Sequence, residues 1–223
     1  MEKAKIVQNF GRNLRFKPKH IYSPNNRVEL IDILQKHNSG KIRVVASKHS
    51  WSGLIETEDV LIDMSHFDYV RVQEKNHEST VTVGAGCKVK HLLSELSRKG
   101  LTIPSVGLIA EQTIAGATAT GTHGSGKHSL SHYIESLQLA CFDETGISAQ
   151  IVNITEGESL QAARCSLGCL GVVVEVILPC IPQYFVQEKS TFCKTIEEVL
   201  ILEKKAPLQQ FFLMPQSGPG DTE

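Results

Sequence analysis

Two segments carry residue types that can hold and bond to a large anionic cofactor. The first, Thr113–Gly126, is a run of small residues with glycines at 116, 121, 124 and 126. Backbone N–H groups in such a run can approach a flat, polyanionic ligand because no Cβ stands in the way. The second, Lys48-His49-Ser50-Trp51, places a histidine in a polar turn directly after the β-type run Ile42–Val45. Together they predict a dinucleotide cofactor that a reactive side chain can bond.

The glycine-rich run does not match the common nucleotide-binding or hydrolase motifs. Residues 121–126 have the order G-x-x-G-x-G and do not lie in an early βαβ unit, whereas the Rossmann fingerprint requires G-x-G-x-x-G in such a unit. The chain contains no P-loop, no G-x-S-x-G and no H-E-x-x-H. His123, His128 and His132 have a spacing that can suggest a metal, but the glycines and Ser129 argue against a helix that would align them. We therefore expect no metal site, and we expect His123 to bond to a ligand or to its own loop.

Composition narrows the class of protein. The 223 residues carry a formal net charge of -1, which does not indicate nucleic acid or an anionic membrane surface as a partner. We expect no transmembrane helix, since no run of about 18 apolar residues occurs. The N-terminus has no apolar signal core, which favours an intracellular, cytoplasmic protein. The six cysteines form no C-x-x-C pair and lie mostly in apolar surroundings, so buried, reduced thiols are predicted.

The elements that must position these segments alternate between strands and helices, which predicts an α+β fold with mixed sheets. A turn-rich start, Asn9–Asn13, precedes a helix that opens at Ser23-Pro24 and places Val28, Ile31 and Leu34 at helical spacing. Further helices are predicted at 89–99 and 159–165, and strands at 42–45, 60–64, 80–83, 134–142, 148–153 and 171–178. Residues 190–205 predict one more strand and helix, followed by a disordered tail at 214–223.

Three blocks, Val45–Trp51, Thr113–Gly126 and Leu167–Val174, resemble the FAD-binding (PCMH-type) domain of the vanillyl-alcohol-oxidase superfamily. Within it the chain is most similar to the aldonolactone oxidases, a group of gulonolactone, D-arabinono-1,4-lactone and alditol oxidases. The resemblance runs from Asn9 to Phe185 and implies an FAD-binding domain of two α+β subdomains, 9–80 and 81–185. It also implies that 186–223 begin a C-terminal substrate, or cap, domain that is largely missing from this chain.

The resemblance implies a role for each block. The loop 45–50 would wrap the FAD pyrophosphate, with His49 where many members bond a histidine covalently to the flavin 8α-methyl group. Gly107, Thr113–Gly116 and Gly121–Gly124 would line the isoalloxazine and diphosphate, and two valines would bond the adenine or ribose end. The cofactor-binding residues implied in this way are Val45, Ala46, Ser47, Lys48, His49, Ser50, Gly107, Thr113, Ile114, Ala115, Gly116, Gly121, Thr122, His123, Gly124, Val172 and Val173.

The first block departs from the family pattern. Relatives usually have Gly-Ser-Gly-His-Ser where this chain has Ala46-Ser-Lys-His-Ser. If the first of those glycines has φ > 0, Ala46 would cost about 1 kcal/mol. Lys48 is either a phosphate counter-charge or a solvated side chain, and His49 is either a covalent attachment point or a hydrogen-bonded turn residue. Trp51 is expected to pack, and Tyr133 to lie at the edge of the core.

Two functions follow from the resemblance. The first is an FAD-dependent oxidase that oxidises a CH–OH group of a sugar lactone or polyol with oxygen as acceptor. The second is a truncated, non-catalytic FAD-binding module, in which the missing cap leaves an apolar face exposed. We expect no catalytic residue in this chain, because the family's substrate-binding groups lie mostly in the cap domain. A flavin-free interaction protein is a third possibility, and it predicts a colourless protein.

Overall fold

The computed structural model describes residues 5–75, 78–125, 127–205 and 208–214. The helices are α1 (Arg27–Lys36), α2 (Val89–Ser97), α3 (Ile114–Ala119), α4 (Gly157–Arg164) and α5 (Ile196–Glu203). The strands are β1 (Val7–Gln8), β2 (Arg15–Phe16), β3 (His20–Tyr22), β4 (Ile42–Val45), β5 (Val60–Asp63), β6 (Val70–Lys75), β7 (Glu78–Gly84), β8 (Leu101–Thr102), β9 (Ser136–Phe142), β10 (Ala149–Ile154) and β11 (Val172–Pro182). This mixture of helices and sheets confirms the predicted α+β class.

A small parallel sheet, in the order β3-β5-β4, carries the histidine turn at the end of β4. Val60, Leu61 and Ile62 of its central strand are all buried, as expected where both faces of a parallel sheet are covered. The helix that packs here starts later than predicted, since its N-cap is Asn26 rather than Ser23. Its inward face contains Leu30 and Leu34, with Ile31 partly buried beside them, and Val28 is 70% exposed, so the prediction for Val28 was wrong.

The larger sheet is antiparallel, in the order β10-β9-β11-β7-β6, and β8 pairs with the far end of β11. Helix α2 packs on it through Leu92 and Leu96, and Gly100 follows the helix at φ +68°. In this sheet the side chains that alternate inward from β7, β9 and β11 form the larger core. Strand β6 belongs to this sheet, although its residues precede the division predicted near residue 80.

A second core joins the two sheets. It combines Leu30 of α1 and Ile62 of the small sheet with Ala140, Val172 and Val174 of the large one. Because these residues bury their surfaces against each other, the small sheet and the large sheet are held in one arrangement. The loops that end their strands are therefore positioned relative to each other by buried apolar contacts.

A polar network spans the same junction. Arg27 donates to Glu175 at 2.7 Å and to Gln138 at 2.9 Å, and the Tyr69 hydroxyl donates to Glu175 at 2.6 Å. The Glu175 side chain is only 11% exposed, so these partners replace the water that a carboxylate would otherwise contact. Burial, and after it the hydrogen bond to Glu175, raises the pKa of Tyr69 to about 12. The hydroxyl therefore stays protonated and remains a donor at neutral pH.

We expect Arg27→Ala to lower the free energy of unfolding by about 2 kcal/mol, because it leaves the Glu175 carboxylate buried without its cation. Adding Glu175→Gln should recover about 1 kcal/mol of this loss, since the amide needs no counter-charge. Urea unfolding of both single variants and the double variant measures the coupling. Strictly additive losses would show that the pair is not coupled.

The segment after β11 exposes much apolar surface. Helix α5 buries none of its residues, and Phe185 is 96% exposed. Other exposed apolar residues here are Phe192, Leu200, Ile201, Phe211, Phe212 and Leu213. The predicted helix is present, but residues 190–195 do not form the predicted strand. Of the predicted disordered tail, residues 215–223 lie outside the described residues.

The cysteines only partly follow the prediction. All six are free thiols, and Cys87 is fully buried. Cys165 and Cys169, however, are exposed, because they lie in the surface turn that follows α4 rather than on an inward-facing element. The expectation of buried thiols was therefore wrong for these two.

Candidate cofactor site

The turn after β4 contains a left-handed residue, but not the expected one. Lys48 has φ +57°, whereas Ala46 does not adopt a positive φ. The strain expected at Ala46 therefore falls on Lys48, which stands at the second glycine position of the pattern that the resemblance implies. A side chain in this conformation costs about 1 kcal/mol or more relative to glycine.

The Lys48 side chain is held rather than solvated. Its Nζ lies 2.8 Å from Asp63 Oδ2 and 3.2 Å from the carbonyl of Ala46, and both side chains of the ion pair are mostly buried. Asp63 is the last residue of β5, and its pairing with Val45 places it beside the turn. The ammonium charge is thus neutralised within the protein, an arrangement that neither expectation for Lys48 included.

The left-handed backbone of Lys48 predicts that glycine is more stabilising than alanine at this position. Lys48→Ala and Lys48→Gly both lose the ion pair, but only glycine removes the left-handed strain. We expect Lys48→Gly to be the more stable of the two by about 1 kcal/mol in urea unfolding. Lys90 in α2, which also loses ion-pairing when replaced, is the matched control. There the order should reverse, because glycine destabilises a helix relative to alanine. The same order at both positions would contradict the prediction.

The turn leaves a row of backbone donors unused. Within the described ranges, no protein acceptor is found for the N–H groups of residues 46–50. The carbonyls of Lys48, Ser50 and Trp51, in contrast, accept hydrogen bonds from the N-terminal turn. Successive N–H groups around a left-handed residue form an anion-binding concavity. These residues therefore fit a pyrophosphate.

His49 is half-buried, and its ring is stacked on Phe10, with centroids 4.4 Å apart and planes inclined by 23°. The N-terminal segment is only turn-rich in sequence, and this contact was not predicted. Trp51 is 65% exposed, yet its ring covers Gly11, where an added Cβ would lie 2.7 Å from the indole. It packs, as expected, but only through part of its surface.

The segment from Thr113 to Gly126 is not a continuous loop, because residues 114–119 form α3. Ile114 and Thr113 are buried, and the Ile114 N–H donates to the carbonyl of Cys87 at 2.8 Å. Gly116 is exposed, while Ala115 is partly buried in the core that joins the sheets. The spacing of Ile114, Ala117 and Thr118 is typical of a buried helix face and could have revealed the helix.

The second half of this segment packs closely against the loop that contains Gly107. A Cβ on Gly107 would lie 2.7 Å from Thr122 Cγ2, and one on Gly124 would lie 2.5 Å from the carbonyl of Val106. Gly121 has φ +68°, and His123 Nδ1 lies 3.1 Å from the carbonyl of Gly124. His123 thus contacts its own loop, and Gly126 lies outside the described residues.

These two loops border an open cavity of about 1120 Å³, lined in part by Gly107, His123, Gly124, His128 and Tyr133. Tyr133 also packs against the larger core, as predicted. His128 and His132 stack with ring centroids 4.1 Å apart, although a 3₁₀ turn rather than an α-helix connects them. These two histidines therefore do lie side by side, and the prediction that they would not was wrong. The turn from 45 to 50 does not line this cavity.

Val172 and Val173 lie at the start of β11 and pair with Ala140 and Leu139 of β9. Pairing with β7 begins only at Glu175, after a bulge. The opposite edge of the first two residues is therefore not paired with β7. Val172, Val173, Ala46 and Ala115 all contribute to the core that joins the sheets, which brings three of the predicted blocks to one junction.

One cluster of a carboxylate, a thiol and an imidazole was not predicted from the sequence. Asp68, Cys87 and His91 place their ligand atoms within 4.8 Å of one another. His91 Nδ1 lies 2.7 Å from Asp68 Oδ1 and 3.8 Å from Cys87 Sγ, so both partners contact the same ring nitrogen and no relay runs through the imidazole. Burial raises the pKa of the Cys87 thiol to about 12, so it is protonated and a poor nucleophile. The i,i+4 spacing of Cys87 and His91 was the available signal.

Comparison with known proteins places this geometry in a family. A family model described as FAD binding domain matches residues 18–147. The chain is 46% identical over 208 residues to a long-chain alcohol oxidase of an uncultured marine euryarchaeote, covering 93% of this chain and 43% of that protein. It is 32% identical over 198 residues to the L-gulonolactone oxidase of Mus musculus, covering 86% of this chain and 44% of that enzyme.

The fold is also similar to that of a solved structure. The cholesterol oxidase of B. sterolicum matches 81% of this chain and 37% of its own, with a TM-score of 0.69 and 19% identity, which shows the fold alone. The chain spans less than half the length of each of these three proteins. In the part of the chain that the structure describes, no helix has the length and apolar character needed to cross a bilayer. With more than half of its 223 residues matched by the family model, the chain belongs to the FAD-binding (PCMH-type) domain family, and FAD is its cofactor.

Proposed function

We propose that this chain is the cofactor-binding part of an FAD-dependent oxidase that oxidises a CH–OH group of a sugar lactone or polyol, with oxygen as acceptor. The similarity to L-gulonolactone oxidase and to the D-arabinono-1,4-lactone oxidase of Debaryomyces hansenii, 29% identical over 206 residues, carries this proposal. Both similarities cover at least 85% of this chain, and thus both loops of the candidate site. The unused N–H groups of residues 46–50 support it, because they fit a pyrophosphate.

A second substrate class has its own support. The relative with 46% identity is named a long-chain alcohol oxidase, so an apolar primary alcohol is the alternative CH–OH donor. A further alternative is that this chain binds FAD without turnover, because the family's substrate-binding groups are expected beyond its end. In the division that we propose, residues 9–185 bind FAD and residues 186–223 begin the substrate domain.

The proposed roles follow the position of each group. The N–H groups of 46–50 bind the pyrophosphate, and His49 supplies a ring nitrogen for a covalent bond to the flavin. Gly107 and Gly121–Gly124 line one wall of the cofactor site, with Thr113–Gly116 beside them. Val172 and Val173 offer main-chain groups at the adenine or ribose end. FAD, when bound, supplies a two-electron acceptor that oxygen can reoxidise.

Turnover by the FAD-loaded chain tests the proposal. Purified protein is saturated with FAD and mixed anaerobically with L-gulonolactone, D-arabinono-1,4-lactone, a C6 alditol or a C12 primary alcohol, and loss of flavin absorbance is followed. Peroxide is then measured after oxygen is admitted. Reduction by a lactone or alditol supports the first class, and reduction by the alcohol alone supports the second. Bound FAD that no donor reduces favours the non-catalytic module, and a protein that takes up no FAD overturns the proposal.

A further inference from the structure

We propose that the N-terminal turn, residues 9–13, is a clamp that orients the cofactor-binding turn 46–51, with Asn9 and Phe10 as positioning residues. This inference rests on the proposed function, because it assigns the clamp's purpose to FAD binding at that turn. It concerns a segment that lies before the family model's match begins at residue 18. Three sets of contacts carry it.

The first set is directional hydrogen bonding to the carbonyls of the turn. The Phe10 N–H donates to the Lys48 carbonyl at 2.8 Å, and Asn9 Nδ2 donates to the Ser50 carbonyl at 2.8 Å. Asn13 Nδ2 donates to the Trp51 carbonyl at 3.0 Å. The clamp thus binds three carbonyls within four residues.

These bonds also orient donors. In a trans peptide the N–H points away from the carbonyl of the same unit. Holding the Lys48 carbonyl against Phe10 therefore turns the His49 N–H away from the clamp, toward the side where a ligand can accept from it. The same reasoning applies to the Ser50 carbonyl and the N–H of Trp51. The clamp consequently uses acceptors of the turn and leaves donors for an anion.

The second contact is the stack of Phe10 on His49. Phe10 is 63% exposed, so its main packing partner is not the core but the imidazole 4.4 Å away. An aromatic stack of this kind restricts rotation of the ring about χ2 and is worth about 1 kcal/mol. The reactive ring is therefore held in one orientation before any bond to the flavin forms. This lowers the entropic cost of forming that bond.

The third set anchors the clamp itself. Val7 of β1, Phe16 of β2 and Leu14 between the two strands pack into a small core with Val45 and Leu61 of the parallel sheet. Asn9 is only 4% exposed. Its Oδ1 accepts from the Leu14 N–H at 3.0 Å, and its Nδ2 donates to the Ser50 carbonyl. Because both the oxygen and the nitrogen of this buried amide are hydrogen-bonded, Asn9 links the clamp rigidly to the cofactor-binding turn.

Two substitutions separate the clamp from general stability. Asn9→Asp keeps the acceptor for Leu14 but replaces the donor to Ser50 by a carboxylate oxygen. Phe10→Ala removes the stack and keeps the backbone bond to Lys48. Asn153→Asp, on an exposed position of β10, and Phe185→Ala, on an exposed position after β11, are the matched controls.

The readouts are the FAD dissociation constant, the rate at which flavin becomes acid-stable, and amide hydrogen exchange without FAD. We expect Asn9→Asp to raise the dissociation constant about tenfold and to speed exchange at residues 46–51 but not in β5. Phe10→Ala should slow covalent attachment about threefold to tenfold with little change in the dissociation constant, and Phe10→Tyr should restore the rate.

The outcomes distinguish the two proposals. If wild type binds FAD and both variants match their controls in affinity, attachment rate and exchange, the clamp is overturned and the proposed function stands. If wild type binds no FAD, the proposed function and the clamp's role in cofactor binding both fall. Exchange rates that rise in Asn9→Asp would in that case leave the turn as a purely structural support. Equal losses in every variant, controls included, would also overturn the clamp.

Discussion

Replacing His49 with alanine is expected to abolish covalent flavin attachment while leaving reversible FAD binding in place. His49 is the histidine of the turn whose N–H groups fit the pyrophosphate, and its imidazole is the nucleophilic nitrogen that the proposed bond requires. The donors of residues 46–50 are backbone groups, so the substitution does not remove them. We expect the acid-stable flavin to fall from about one per chain to none, and FAD affinity to change by about tenfold or less.

Acid precipitation measures this result directly. In wild type the yellow colour should remain with the precipitated protein, and the mass of the intact chain should increase by one FAD. In His49→Ala the colour should move to the supernatant. His66→Ala is the control, because His66 is exposed and lies outside both loops of the candidate site. Wild-type protein that releases all of its flavin would show that His49 is a turn residue without a covalent role.

The second large effect is expected from Gly86→Ala. Gly86 follows β7, and a Cβ at this position would lie 2.0 Å from the carbonyl oxygen of Met64 and 2.8 Å from its carbon. These are backbone atoms at the end of β5, so no rotamer change can relieve the overlap. The strands β5 and β7 belong to different sheets, and the clash would force their ends apart. We expect a loss of at least about 3 kcal/mol in the free energy of unfolding.

Two other glycines provide matched controls for urea unfolding. At Gly53 an added Cβ meets the end of the flexible Glu56 side chain, so Gly53→Ala should be close to neutral. Gly100 has φ +68° and open space around it, so Gly100→Ala should cost about 1 kcal/mol from backbone strain alone. A loss at Gly86 no larger than that at Gly100 would contradict the close approach of β5 and β7.

Much of the fold could be predicted because local pattern and tertiary environment agree. Thr80–Val83 alternates and forms part of β7. The apolar run from Val60 is a central parallel strand, and the amphipathic segment from Val89 is α2. The failures occur where local signals mislead. The glycines near α3 suggested a loop, although Ile114 and Ala117 bury one face of a helix.

The candidate site, too, could be predicted from the sequence only in part. Its two loops could be located from the sequence because glycines and a histidine after a strand are local features. The family could be identified because three motif blocks occur in the expected order. The sequence by itself therefore determined the α+β class, the cofactor and the segments expected to bind it.

The geometry of the site depended on the tertiary structure. Lys48 is paired with Asp63 because the parallel register of β4 and β5 brings residues 15 positions apart together. His49 is stacked on Phe10, which is 39 positions away, because the β1–β2 hairpin packs on the same sheet. Such contacts depend on where strands lie in space, and neither composition nor periodicity encodes that information locally. Only the folded chain decides which donors of the turn are engaged and which are left for a ligand.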